Sequence, residues 1–218
     1  MDSRTIKRIL ASQPGFWGCF AKDNLPTFEG MSVKSVIRSA CKMGGSKYVS
    51  LVCNTDKLSG KGIHWVAIMI SADGRCFLFN SLGGLPSEAP EIFTFCSQFE
   101  TCFYNKNGHQ KQDEITCGAF ACYFVCQMNR PGVTFRKVVD RFENKIANDD
   151  NFVRDWLLKE HNVTLAQPWA CIDVSHTFLQ SDWTVVFSSF LHHELLLYPL
   201  QQRILFAIPS KGTPCSTT

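Results

Sequence analysis

The feature that most constrains the fold is an apolar run, CGAFACYFVCQM, at residues 117–128. A polar loop, NKNGHQKQDEIT, precedes the run, and Asn129-Arg130-Pro131-Gly132 follows it and stops a helix. A helix that is apolar on every side is buried, so the run predicts a helix at the centre of the protein. Because the run opens with Cys117 and Gly118, a thiol stands at the N-terminus of this helix.

The N-terminal segments predict two short helices separated by a loop, followed by a strand. They are a helix from Ser3 to Ala11, a packed aromatic loop over PGFWGCFAKDNLPTF (residues 14–28), a helix over residues 33–42 capped by Ser32, and a strand beginning at Tyr48.

Two further runs, HWVAIMI and RCFLFN, predict a β-hairpin joined by SADG. A three-residue turn with Gly74 in the left-handed conformation places Val66 opposite Asn80. His64 and Asn80 then lie diagonally on the same face, about 7–8 Å apart at the backbone. A two-residue Asp-Gly turn would shift the pairing by one residue and place them on opposite faces.

The remaining segments predict mostly helices. They are a helix from Ser87 to Phe99, a short strand at TCFYN, helices over Thr134 to Ala147 and Asp149 to His161, a core helix within the apolar stretch 183–208, and a tail over residues 209–218. Polar residues interrupt the apolar stretch, so we expect no membrane span.

Composition favours one compact domain over residues 1–218, with its motifs in residues 14–128 and a helical part at 134–208. A chain of 218 residues that is 45% hydrophobic can bury one sizeable core. The net charge of +3 is small for a domain whose main ligand is nucleic acid. The N-terminal segment MDSRTIKRIL lacks the pattern of a secretion signal, so we expect an intracellular protein that is not secreted.

The eleven cysteines show no paired spacing, which favours reduced thiols. Cys117, Cys122 and Cys126 form the one close cluster, and a zinc module is the competing interpretation. Offsets of five and nine residues scatter these thiols around a helix axis, and no C-x-x-C pair accompanies them. We therefore expect no metal site.

Cys117 and His64 carry the residue types of a cysteine hydrolase. A thiol attacks a carbonyl as the thiolate, and both a helix N-terminus and a nearby imidazolium lower its pKa. Cys117 has the first feature by position, and His64 can supply the second. The alternative is that Cys117 is one more buried thiol and His64 a core histidine.

Two amide side chains can complete such a site. Asn80 can hold the His64 ring in one tautomer, as the third member of a protease triad does, although an ordinary strand-end residue would look the same. Gln110 can direct its amide towards a developing oxyanion, together with a backbone amide at Gly118. Gln112 is a rival in the same loop, and either glutamine is equally compatible with a solvated side chain.

These residues resemble the adenovirus protease (adenain) family, within the larger group that includes the SUMO-deconjugating proteases. The matching stretches cover about residues 14–128 and are PGFWGCFAKDNLPTF, GIHWVAIMI, RCFLFNSLGG and Gln110 followed by CGAFACYF. The resemblance implies an α+β, papain-like fold of the adenain type. In that fold a small mixed β-sheet packs on a central helix with additional flanking helices.

The resemblance also assigns roles to individual residues. Cys117 would be the nucleophile, His64 the general base and acid, Asn80 the orienting residue and Gln110 the oxyanion donor. The sequence departs from the family at two points. The third triad position is an amide where a carboxylate is common, and the hairpin is one residue shorter.

Regulation is a further implication of the resemblance. The family suggests activation by a disulfide-linked viral peptide, with Cys102 as the linking thiol, and by DNA. Lys137, Arg141 and Lys145 share one predicted helix face, but interspersed acidic residues favour a solvated face there over a DNA site. The chemistry itself requires no cofactor, and we expect a monomer.

By resemblance the function is that of a viral maturation protease. It would cleave viral precursor proteins at glycine-containing sites, in the host nucleus and the virion. One alternative is a protease of the same fold that removes ubiquitin-like or SUMO conjugates. An alternative of another class is a non-catalytic structural or DNA-binding viral protein.

Overall fold

The computed structural model describes residues 1–28, 30–142 and 146–165, which belong to one compact unit. Its elements are α1 (Ser3–Leu10), β1 (Phe16–Ala21), α2 (Val33–Met43), β2 (Tyr48–Asn54), β3 (Trp65–Ser71), β4 (Arg75–Phe79), α3 (Pro90–Cys96), β5 (Thr101–Tyr104), α4 (Cys117–Met128), α5 (Phe135–Asp140) and α6 (Ile146–His161). The core helix predicted within residues 183–208 and the tail 209–218 lie outside the described residues. The prediction of a single domain over residues 1–218 therefore stays a prediction.

The strands form one mixed sheet in the order β1-β2-β3-β4-β5. The two inner pairings, β2 with β3 and β3 with β4, are antiparallel. The two outer pairings, β1 with β2 and β4 with β5, are parallel. A five-stranded mixed sheet accompanied by several helices confirms the predicted α+β class.

The β3-β4 hairpin has the predicted three-residue turn. Ala67 pairs with Phe79, and the Gly74 N–H donates to the Ser71 carbonyl at 2.9 Å. Gly74 has a φ of +92°, which a residue with a Cβ adopts only at a cost. The turn thereby fixes the register that brings His64 and Asn80 to the same face.

Two apolar layers cover the sheet. On one face, β3 and β4 pack with α1, α4, α5 and α6 around the stacked rings of Phe79 and Phe124, whose centroids are 4.9 Å apart. On the other face, α2 and α3 bury side chains such as Ile37 and Ile92. Every residue of α4 except Gln127 is buried, which confirms the predicted central helix.

The first strand corrects the sequence prediction. The segment 14–28, predicted as a packed loop, contains β1, which pairs in parallel with β2. A register irregularity between Phe16 and Gly18, where Gly18 has a φ of +135°, breaks the alternation that marks a strand. Because the partner strand is more than thirty residues away, no local turn signal announces the pairing.

Three helices also differ from their predicted bounds. Helix α3 begins at Pro90 and not after Ser87, because proline lacks an N–H and fits the first helical turn. Helix α5 ends at Asp140, where the chain turns to bury Phe142 against α4, and α6 begins at Ile146. Helices α1 and α2 lie within one residue of their predicted positions, with Asp2 as the N-cap of α1.

Candidate active site

Cys117 is the first residue of α4 and is 8% exposed. The first N–H groups of a helix lack intrahelical acceptors, so free amides surround the start of the helix. The backbone N–H of Trp65, at the start of β3, lies near the thiol and contributes to lowering its pKa. The Trp65 indole N–H donates to the Met1 carbonyl at 2.9 Å, so this side chain packs beside the site.

His64, just before β3, lies between Cys117 and Asn80. Its Nε2 atom is 2.8 Å from Asn80 Oδ1. The Asn80 Nδ2 amide donates to the carbonyls of Gly83 and Gly84 at 3.0 and 3.2 Å, so the oxygen of the amide must face His64. His64 Nε2 is therefore a donor, and Nδ1 is left to interact with the Cys117 thiol.

The two groups alter each other's pKa. Burial alone would raise the pKa of the Cys117 thiol, but the adjacent His64 ring outweighs burial and lowers it below its usual value. Burial alone would lower the pKa of His64, but the hydrogen bonds and charge of Cys117, with Asn80 in support, raise it. Both shifts favour a thiolate-imidazolium pair.

Asn105, which sequence reasoning missed, fixes the main chain at Asn80. Its Oδ1 atom accepts from the Asn80 N–H at 2.9 Å, and its Nδ2 amide donates to the Asn80 carbonyl at 2.7 Å. The Asn105 carbonyl also accepts from the Gly84 N–H at 2.8 Å. These bonds join residues 25 positions apart, so no local pattern could have revealed them.

A glycine contact brings the Asn80 turn against the Gln110 loop. A Cβ on Gly83 would lie 2.5 Å from the Gly108 nitrogen, and a Cβ on Gly108 would lie 2.8 Å from the Leu82 carbonyl oxygen. Gly83 also has a φ of +84°. The two backbones can approach this closely because neither glycine carries a side chain.

Gln110 is held in one orientation by its neighbours. The Ser81 hydroxyl donates to its Oε1 atom at 2.7 Å, so its amino group lies on the opposite side and donates to the Glu114 carbonyl at 2.6 Å. An amide nitrogen has two N–H groups, so one remains for another acceptor. The rival Gln112 is exposed in the same loop.

Helix α6 clamps both ends of the loop that leads into Cys117. The buried Asp150 carboxylate accepts from the Thr116 hydroxyl and from the Lys111 N–H, the latter at 3.1 Å. One turn further on, Arg154 forms a half-buried ion pair with Glu114. Sequence analysis missed this clamp, because charged residues on a helix usually indicate a solvated face.

The thiols that lie close together in the structure are not the Cys117, Cys122 and Cys126 group considered from the sequence. Across residues 1–28, 30–142 and 146–165, one group of three metal-type donors lies close together, formed by Cys76, Cys96 and Cys102. Cys102 is half-buried on β5, directly opposite Cys76. This group lies towards the opposite end of β4 from Asn80.

The structure describes two of the three basic residues that the sequence placed on a possible DNA-binding face. Lys137 donates to the Gly132 carbonyl at 3.1 Å, and the Arg141 guanidinium stacks 4.8 Å from the centre of the Phe152 ring. Lys145 lies outside the described residues. None of the helices within the described ranges is long and apolar enough to cross a membrane.

Comparisons with known proteins relate part of the chain to a viral protease. No protein-family profile matches the chain. A segment of 94 residues is 30% identical to "Putative thiol protease R355" of Acanthamoeba polyphaga mimivirus, and the match covers 38% of this chain and 31% of that protein. The chain thus matches about a third of the length of this relative.

Two solved structures show a distant similarity to the chain. The central domain of the Lpg1148 protein of Legionella pneumophila is 18% identical, with a TM-score of 0.46 over 73% of this chain and 94% of that one. The ASFV pS273R protease is also 18% identical, with a TM-score of 0.39 over 68% of this chain and 64% of that one.

Proposed function

We propose that this chain is a cysteine protease with Cys117 as the nucleophile. The proposal rests on one arrangement, in which His64 lies between the Cys117 thiol and Asn80, with its Nε2 atom 2.8 Å from Asn80 Oδ1. The segment similar to a mimivirus protein named as a thiol protease supports the same conclusion.

The chemistry follows from the protonation states of the pair. The Cys117 thiolate attacks the scissile carbonyl carbon, and the His64 imidazolium gives its proton to the departing amine, which leaves a thioester. Water then attacks the thioester carbonyl while His64 takes a proton from the water, the bond to Cys117 breaks, and the carboxylic acid leaves behind the restored thiolate-imidazolium pair. Asn80 keeps the ring in the tautomer that both steps need.

Negative charge on the carbonyl oxygen needs donors beside Cys117. The second N–H of Gln110 and the free backbone amides at Cys117 and Gly118 are the groups that we assign to this role. Gln110 suits it because Ser81 and the Glu114 carbonyl already fix its amide plane. A preorganised donor of this kind loses little free energy to reorientation during the reaction.

The proposal extends to the class of substrate that the protease would cleave. We infer viral precursor proteins with glycine-containing sites as substrates, which would make the chain a maturation protease. Activation by a peptide linked through Cys102, or by DNA, belongs to the same proposal and would appear as a rate increase when either is added.

The test uses purified protein and two substrate sets, with Cys117→Ala as the control. One set is peptides with internal Gly-Gly or Gly-x bonds, and the other is a ubiquitin-like protein with a fluorogenic C-terminal group. Cleavage of the peptides that is lost in Cys117→Ala supports the proposal, and preference for the second set would favour a deconjugating protease. Cleavage that survives in Cys117→Ala would refute the nucleophile. An alkylation profile of Cys117 like that of a free thiol would instead favour a non-catalytic protein.

A further inference from the structure

Three thiols from three separate elements converge on one point of the fold. Cys76 lies on β4, Cys102 on β5, and Cys96 is the last residue of α3. Their sulfur atoms all lie within 4.8 Å of one another. Because Cys76 and Cys102 pair directly across parallel strands, their side chains share the face that α3 covers.

The spacing of the sulfur atoms suits a metal ion. Zinc-thiolate bonds are about 2.3 Å long, so three thiolates around one ion place their sulfur atoms about 4 Å apart. A disulfide would join two of the three thiols and leave the third without a role. Soft thiolate ligands select zinc or copper(I) over calcium, magnesium and manganese.

The surroundings of the cluster favour a divalent ion with one open position. Cys76 and Cys96 are fully buried, whereas Cys102 is half-buried and gives the cluster a solvent-facing side. Three thiolates leave a net charge of −1 with Zn²⁺ and −2 with Cu⁺, and burial penalises the larger charge more.

We propose that Cys76, Cys96 and Cys102 form a three-thiolate site for a zinc ion, with a water molecule from the solvent side as the fourth ligand. Binding would displace the three thiol protons and link α3 to the parallel pair β4 and β5. Asn80 lies four positions after Cys76, about 13 Å away along extended chain. The site is therefore structural and lies apart from the proposed protease chemistry, and zinc bound at Cys102 would compete with a disulfide between Cys102 and an activating peptide.

The experiment uses the full chain in a Cys117→Ser background, which removes the thiol that is paired with His64. Zn²⁺ is titrated against a chromophoric chelator, and Cd²⁺ is titrated while the ultraviolet thiolate-to-cadmium absorption is recorded. We expect one ion per chain, an absorption typical of three thiolates, and a rise in Tm with Zn²⁺. Adding Cys102→Ser should abolish the Tm rise and reduce the absorption.

The matched control is Cys19→Ser, because Cys19 is also half-buried but lies on β1, outside the cluster. It should bind both ions as the background does. Melting of each variant without metal shows whether it is folded, and Cys96→Ser provides a second ligand variant if Cys102→Ser is unstable. Failure of the folded background to bind Zn²⁺, or equal binding after loss of either ligand, would overturn the proposal.

Discussion

The clamp between α6 and the nucleophile loop makes a specific prediction about Asp150. This side chain is 2% exposed and accepts hydrogen bonds from Thr116, directly before Cys117, and from Lys111, directly after Gln110. Asp150→Ala removes both acceptors, whereas Asp150→Asn keeps the volume and one acceptor oxygen. The two variants therefore separate the hydrogen bonds from the charge.

The expected magnitude comes from the burial of the two donors. Thr116 is fully buried, so loss of its acceptor leaves an unsatisfied hydroxyl, at a cost of about 1–3 kcal/mol in the free energy of unfolding. The Lys111 N–H adds less, because Lys111 is exposed and water can replace the carboxylate. We expect the free energy of unfolding to fall by about 2 kcal/mol in Asp150→Ala and by less than about 1 kcal/mol in Asp150→Asn.

The pH dependence distinguishes the two variants further. Burial raises the pKa of Asp150, although Thr116 and Lys111 oppose the shift. A carboxyl whose pKa is higher in the folded than in the unfolded state makes folding more favourable as the pH falls through the folded-state pKa. Wild type should therefore gain stability relative to Asp150→Asn on mild acidification.

Urea unfolding of wild type and both variants, at neutral and mildly acidic pH, measures these differences. Thr116→Val alone and with Asp150→Ala completes a double-mutant cycle, and the double variant should lose less than the sum of the two single losses. The alkylation rate of Cys117 reports whether the loop has shifted, and it should fall in Asp150→Ala. Equal urea midpoints for wild type, Asp150→Ala and Asp150→Asn would refute the clamp.

Three further predictions concern the site and its hairpin. The rate at which iodoacetamide alkylates Cys117 should fall as the pH drops through the lowered thiol pKa, so Cys117 should still react at mildly acidic pH. In His64→Ala the imidazolium no longer opposes burial, so the fall in rate should move to alkaline pH, and identical profiles would contradict the ion pair. Asn80→Ala should lower kcat about 10- to 100-fold, because it removes one hydrogen bond to the charged His64 ring. Asn80→Asp keeps an acceptor for that ring and should retain more activity, so equal kcat values in the two variants would exclude an orienting role for Asn80. Gly74→Ala should lower the free energy of unfolding by about 1–2 kcal/mol through strain in the turn, and an unchanged urea midpoint would show that the turn relaxes.

The parts of the fold that the sequence predicts are those with local signals. The sequence predicts a hairpin around Gly74 but leaves two turn types open, and the structure has the three-residue turn. The central helix follows from an apolar run with a clear stop. Strand β1 escaped prediction because its partner is remote and Gly18 interrupts its alternation. The α+β class was predicted from the family resemblance, because the separate elements do not by themselves specify how a sheet and its helices pack.

The residues of the site likewise fall into those with local sequence signals and those without. His64, Asn80 and Cys117 were grouped from one of two possible hairpin registers, a helix start and the family resemblance. The contacts of Asn105 and Asp150 could not be predicted, since each joins segments at least 25 residues apart and depends on how the elements dock. The three-thiol cluster was hidden for the same reason, because its members come from three elements.

The contact between Gly83 and Gly108 limits how such a protein can be redesigned. The two loops that carry Asn80 and Gln110 touch through backbone atoms, so neither glycine can be exchanged without moving the loops apart. Exposed neighbours such as Leu82 and Ile63 have no such restriction. Libraries made to change substrate preference should therefore randomise these outer positions and leave the two glycines invariant.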